Sequence, residues 1–207
     1  VVSSTISITA GNINLSNVSQ DIDIELPNID GKTLTVGPNQ SLAMYAEVSQ
    51  TVSVGIPDIK FSTTATNSSS NSITIKAVDT EVTNADTLLN VSGINLHDVQ
   101  TLNLDLSSDV DFNSSGNIVG DKLKEVVLLG SGNFNLNSNK IIGGISDPVN
   151  LNTKAYTGNI NLKIDSTSYG LKSVAAGDGD DTIILDDNST TGSGYSIDLG
   201  GGNDVVS

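Results

Sequence analysis

At 207 residues the chain can form one large domain or two small ones around a substantial core. Nine lysines, no arginine and 24 acidic residues leave a net charge of −15; such a surface repels nucleic acid and suits recruitment of divalent cations, unless the acidity serves solubility alone. The lack of cysteine excludes disulfides and thiolate metal sites, and an aromatic content of 3% argues against a stacking surface for sugars or bases.

Along the chain, apolar and polar residues alternate with period two over residues 5–9, 21–26, 33–36, 72–76, 101–106 and 159–164. Each stretch reads as a short strand with one buried face, and clusters of Gly, Asn, Asp and Ser separate them. Residues 38–45 alone favour a helix: Pro38 suits a first helical position, and Leu42, Ala43 and Met44 are good helix formers. Residues 63–71 form a polar stretch that reads as a loop. No apolar run approaches the roughly 18 to 20 residues needed to cross a bilayer, so the chain is expected not to span a membrane. It starts at Val1 and stops just after a glycine-rich motif, so both ends are expected to be cut from a longer protein. The lack of a leader then says nothing about export.

Repeats decide between a sandwich and a solenoid. Gly11-Asn-Ile-Asn-Leu15 recurs as Gly132-Asn-Phe-Asn-Leu136 and Gly158-Asn-Ile-Asn-Leu162. A second element links Val99-Gln-Thr-Leu102, Leu123-Lys-Glu-Val126 and Leu171-Lys-Ser-Val174, whose starts lie 24 and then 48 positions apart. Glycine motifs at Gly177 and Gly200 are 23 apart. A coil of about 24 residues holds two or three short strands, and stacking such coils at about 4.8 Å piles their Ile, Val and Leu into internal ladders. The expected fold is all-β: a parallel β-helix or β-roll (a β-solenoid) over residues 86–207. Residues 1–85 form an N-terminal β region, either a separate domain or more of the same solenoid. The alternative is chance matching among short strands in an Asn- and Gly-rich chain.

The chemistry concentrates in residues 176–207. Residues 176–184 and 199–207 both fit the nonapeptide G-G-x-G-x-D-x-U-x, with Ala176 and Leu199 in place of the first glycine. Glycine admits a left-handed turn that brings carbonyls close to an ion, and calcium, a hard cation, takes six to eight oxygens. The candidate metal residues are therefore Gly177, Gly179, Gly200 and Gly202 through their carbonyls, and Asp181 and Asp204 through their carboxylates. Asp178 and Asp180 are secondary candidates. A roll with two nine-residue halves repeats every 18 residues, so the interval of 23 predicts a long irregular turn at 186–194. That arrangement keeps both glycine turns on one edge, where Asp181 and Asp204 can share a Ca2+ ion. The alternative is a pair of ordinary acidic turns.

The pair at 176–184 and 199–207 resembles the RTX repeats of Gram-negative proteins exported by type I secretion. Val91-Ser-Gly-Ile-Asn-Leu-His-Asp-Val-Gln-Thr-Leu-Asn-Leu104 and Asn152-Thr-Lys-Ala-Tyr-Thr-Gly-Asn-Ile-Asn-Leu162 look like repeats of RTX-bearing bacterial surface-layer (S-layer) proteins. Gly31-Lys-Thr-Leu-Thr-Val36 is similar to another element of such proteins. The resemblance touches most of the chain, though only the glycine–aspartate motifs are specific. It implies a calcium-loaded β-solenoid in a self-assembling lattice at the extracellular face of the bacterial outer membrane. The implied partners are other copies of the chain, and lipopolysaccharide through another region of the full protein. An RTX adhesin that binds a host or glycan surface is the alternative, and a calcium-stabilised scaffold of a secreted hydrolase is a third reading.

Catalytic equipment is sparse. His97 is the one histidine, and neither G-x-S-x-G nor H-E-x-x-H occurs. Set among Leu96, Asp98 and Val99, it reads as a surface or turn residue. Asp21/Asp23 and Asp109/Asp111 could pair for glycoside hydrolysis, but on alternating strands such pairs form a solvated face. The expectation is a non-enzymatic protein.

Overall fold

The computed structural model describes residues 12–17, 24–25, 33–37, 41–46, 52–54, 58–61, 71–79, 88–112, 116–136, 140–144, 148–165, 171–186 and 194–207. Their strands build three parallel sheets of six, eight and seven strands, each sheet one face of a β-solenoid. One coil runs through Ile94–His97, Thr101–Leu106 and Asp109–Phe112. The next runs through Ile118–Gly120, Glu125–Gly130 and Phe134–Leu136. Ile94 lies opposite Ile118, Leu102 opposite Val126 and Val110 opposite Phe134, so every face advances by 24 residues, as the repeat spacing predicts.

The alternation seen in sequence becomes inward columns. Ile73, Leu102, Val126, Leu151 and Val174 stack in register, all buried, and Leu42, Ile75, Leu104 and Leu128 form the column beside them. Phe112 and Phe134 meet edge to face, ring centroids 5.8 Å apart. Each aliphatic side chain contributes roughly 1.5–3 kcal/mol on burial. No single coil could bury its apolar face alone, so the columns are what hold the coils together.

The helix expected over residues 38–45 is not formed. Ser41–Ala46 is a strand paired with Ser72–Asp79, and it places Leu42 opposite Ile75. Local propensity differs by only a few tenths of a kcal/mol per residue among Leu, Ala and Met, whereas a place in a buried ladder contributes several times more. Of residues 21–26, Ile24–Glu25 is a strand in the eight-stranded sheet. The stretches 5–9 and 62–70 lie outside the described residues, while Asn71 is buried and donates from Nδ2 to the Asp98 carbonyl at 2.9 Å. Strands on both sides of residue 86 belong to the same three sheets.

The coil changes its cross-section toward the C-terminus. Among the described residues the six-stranded sheet ends at Ile141–Ile142. From there each coil contributes strands to the other two sheets: Val149–Asn152 with Ile160–Asp165, then Leu171–Ala175 with Thr182–Asp186, then Ser196–Asp198 with Val205–Val206. The two-faced roll expected around the glycine motifs corresponds to these coils. The irregular turn expected at 186–194 falls largely on residues 187–193, which lie outside the described residues. Among the described residues no helix is long and apolar enough to cross a membrane.

Candidate metal centre

Where the eight-stranded sheet gives way to the seven-stranded one, the chain turns the same corner in every coil. Gly130 bridges Tyr156, Phe134 lies opposite Ile160, and Thr182 lies opposite both Asn161 and Val205. Four turns therefore stack in register: Gly130-Ser-Gly-Asn-Phe134, Tyr156-Thr-Gly-Asn-Ile160, Gly177-Asp-Gly-Asp-Asp181 and Gly200-Gly-Gly-Asn-Asp204. Gly132, Gly158, Gly179 and Gly202 make one column. A Cβ on any of them would come within 3.0 Å of the carbonyl oxygen one coil back, as would one on Gly177 or Gly200. Gly200 and Gly202 also hold φ of 71° and 124°, a region that L side chains rarely adopt. Glycine is required here because backbone packs on backbone, leaving a wall of carbonyls.

The outer rim of the corner is a ladder of short polar side chains: Asp109, Asn133, Asn159, Asp180 and Asn203. Asp109 Oδ1 accepts the Asn133 amide at 2.7 Å, and Asn133 Oδ1 accepts that of Asn159 at 3.1 Å. Asn159 Oδ1 accepts the amide of Asp180 at 2.8 Å, and Asp180 Oδ1 that of Asn203 at 2.8 Å. Asp180 thus gives its Oδ1 to coil stacking, and Asp178, two residues before it in the same turn, is exposed.

The position one residue on points into the core. Val110, Phe134 and Ile160 occupy it in the earlier coils, and Asp181 and Asp204 in the last two. Asp181 is 1% exposed. Its Oδ1 accepts the Ile160 amide at 2.9 Å, while Oδ2 is buried without a hydrogen-bond partner. Burial pushes its pKa up to about 6; the Ile160 amide pulls the other way, and the charges of Asp204 and Asp180 add to the rise. Asp204 is half-buried, and its Oδ1 accepts the Asp181 amide at 3.0 Å. Tyr156, also buried, donates its hydroxyl to the Gly132 carbonyl, and its pKa is raised by burial and by the charges of Asp109 and Asp181.

Gly177, Gly179, Asp181, Gly200, Gly202 and Asp204 therefore come together at one corner, the two aspartates on the same edge and one coil apart. Sequence reading kept the Gly-Asn-Phe-Asn-Leu and Gly-Asn-Ile-Asn-Leu repeats separate from the glycine–aspartate motifs. The structure puts them in one register and so adds Tyr156, Gly158 and Ile160 to the neighbourhood. The signal lay in aligning Gly158-Asn-Ile160 with Gly179-Asp-Asp181, where an apolar residue gives way to a carboxylate. Among the described residues no three His, Cys, Asp or Glu side chains gather into a metal cluster, so any ion here would depend on main-chain carbonyls. His97 is exposed and lines an open groove of about 560 Å³ on another face with Asp58, Asn95, Asp121 and Lys122.

Comparison with family models, with curated proteins and with solved structures finds no match.

Proposed function

We propose that the corner at residues 176–204 binds calcium and that the chain is a non-catalytic structural module stiffened by it. The observation that carries this reading is Asp181: a carboxylate turned into the core, with one oxygen unpaired, in a glycine turn stacked so closely on its neighbours that carbonyls of one coil meet the glycines of the next. A buried ionised carboxylate is costly unless paired. A divalent cation removes that cost, and carbonyls with carboxylates are the oxygen donors calcium takes. Asp181 and Asp204 would supply the charge, and Gly177, Gly179, Gly200 and Gly202 the carbonyls. Such an ion binds the folded coil and not the open chain, so it stabilises by about 2.7 kcal/mol at a hundred times its dissociation constant. With the resemblance to RTX-bearing surface-layer proteins, the module fits a subunit of a calcium-dependent, self-assembling coat exported to the bacterial cell surface.

The test is calorimetric calcium titration of the chain, paired with thermal melting followed by circular dichroism. Saturable binding and a rise in Tm of several degrees are expected, with both reduced in Asp181→Asn. No binding heat and an unchanged Tm would remove calcium from the reading.

A further inference from the structure

The groove beside His97 lies on the six-stranded face, which among the described residues ends before the glycine–aspartate coils begin. It crosses four neighbouring strands of that sheet, from Asp58 through Asn95–His97 and Val119–Gly120 to the Gly143–Gly144 pair that follows Ile141–Ile142. Three steps of about 4.8 Å between strands make it about 14 Å long, parallel to the solenoid axis. Alternation builds it: Ile94 and Leu96 turn into the core, so Asn95 and His97 turn out, and the register sets Val119 beside Asn95. At the far end a Cβ on Gly144 would strike the Asp121 carbonyl, and glycine there leaves the groove open.

Its walls are braced from coil to coil. Asn95 Nδ2 donates to Asp58 Oδ1 at 2.9 Å, and Asp121 Oδ1 accepts the Asp98 amide at 2.8 Å. That amide bond, with the one from Asn71 Nδ2 to the Asp98 carbonyl, holds Asp98 at φ 62°, the one positive φ at a non-glycine residue among the described ones. These bonds use one oxygen of each carboxylate, and an ionised carboxylate accepts at both. The lining mixes signs at close range: Asp58 and Asp121 accept, Lys122 donates, and Asn95 and His97 do both. An anion would meet two carboxylates and a cation would meet a lysine. A hydroxyl group, which donates and accepts at once, suits the whole wall. Leu96 and Val119 give an apolar floor, and the lining holds no Phe, Tyr or Trp, so recognition would rest on hydrogen bonds rather than stacking.

The geometry points to a neutral linear oligosaccharide lying along this groove, its hydroxyls paired with Asp58, Asn95 and Asp121 and its C–H faces on Val119. A sugar unit and a coil advance by similar lengths, so successive sugars meet successive strands. The volume of about 560 Å³ falls within the roughly 300–1,000 Å³ of small-ligand sites. Because the bracing bonds already hold Asn95, Asp58 and Asp121, little side-chain ordering is left for binding to accomplish. This site is independent of the calcium reading and uses none of its residues.

A glycan array of neutral, acidic and amino-bearing oligosaccharides, from one sugar to six, tests this on the full chain in calcium. The best-retained saccharide is then titrated while the imidazole resonances are followed by NMR; with one histidine in the chain, those signals report this groove alone. Neutral saccharides of three or more sugars are expected to be retained several-fold better than mono- or disaccharides, and to shift the His97 signals. Asn95→Ala is expected to weaken binding about tenfold, the loss of one or two hydrogen bonds. Val119→Arg, which fills the floor, is expected to abolish it. Retention of no neutral saccharide overturns the proposal, as does a preference for acidic or amino sugars. Binding that leaves the His97 signals unmoved, or that ignores Asn95→Ala, overturns the location. Should Val119→Arg fail to fold, Asn95→Ala decides, since Asn95 is exposed and outside the core.

Discussion

At the scale of single residues, Asp181 is where fold and chemistry conflict. The coils before it fill its position with Val110, Phe134 and Ile160, and a carboxylate there loses hydration that one amide only partly replaces. Burial raises its folded pKa to about 6, above the ordinary carboxylate range, so without metal the folded state holds its proton more tightly than the unfolded one. That contribution to stability is full below the unfolded value and is lost as pH rises through the folded one. The metal-free protein is therefore expected to lose on the order of 2 kcal/mol between about pH 4 and pH 6 from this group. Urea denaturation in chelator across that range measures it, and Asp181→Asn should flatten the dependence; a curve unchanged by the substitution would place the titration elsewhere. With calcium present the sign reverses, because the metal takes the ionised carboxylate and affinity falls as protons compete.

At the scale of elements, two kinds of ladder hold neighbouring coils, and they differ in strength. The inward column through Ile75, Leu104 and Leu128 is fully excluded from water, so Leu104→Ala leaves a cavity and is expected to cost about 2–5 kcal/mol. The rim ladder is exposed. Asn159→Ala removes the acceptor for the Asp180 amide, which water can replace, and is expected to cost about 0.5–1.5 kcal/mol. Urea midpoints of the two variants compare them directly, and equal losses would contradict this division of labour. The inward column was legible in sequence wherever alternation was clean, as in Thr101–Leu106. It was not legible at Ser41–Ala46, where Leu42, Ala43 and Met44 sit in succession and helical propensity is the only local signal; the pairing with Ser72–Asp79 that overrides it spans more than thirty residues in register. The rim ladder was also hidden, since Asn and Asp before an apolar residue look like ordinary turn chemistry until coils are stacked.

At the scale of the whole molecule, a solenoid is held by nearest-neighbour contacts, so stabilising one interface stabilises its neighbours first and the far end least. The roughly 24-residue period was readable because three unrelated repeats shared it. The loss of the six-stranded face after Ile141–Ile142 was not, because no residue type marks a missing strand. That loss leaves the corner turns on a two-faced roll whose last strand exposes Val205 and Val206. With a net charge of −15, copies of the chain repel one another unless cations stand between them. On the proposed role, calcium acts twice, within the corner and between acidic neighbours. Assembly should then fail at two different calcium levels, first by loss of contacts between subunits and then by loosening of the coils. Light scattering and microscopy of protein assembled in calcium, under stepwise chelation with circular dichroism recorded in parallel, would resolve the two. Arrays are expected to dissolve before the melting temperature falls. Arrays that persist after the corner has lost its stabilisation would separate calcium from assembly altogether and leave it a role in folding alone.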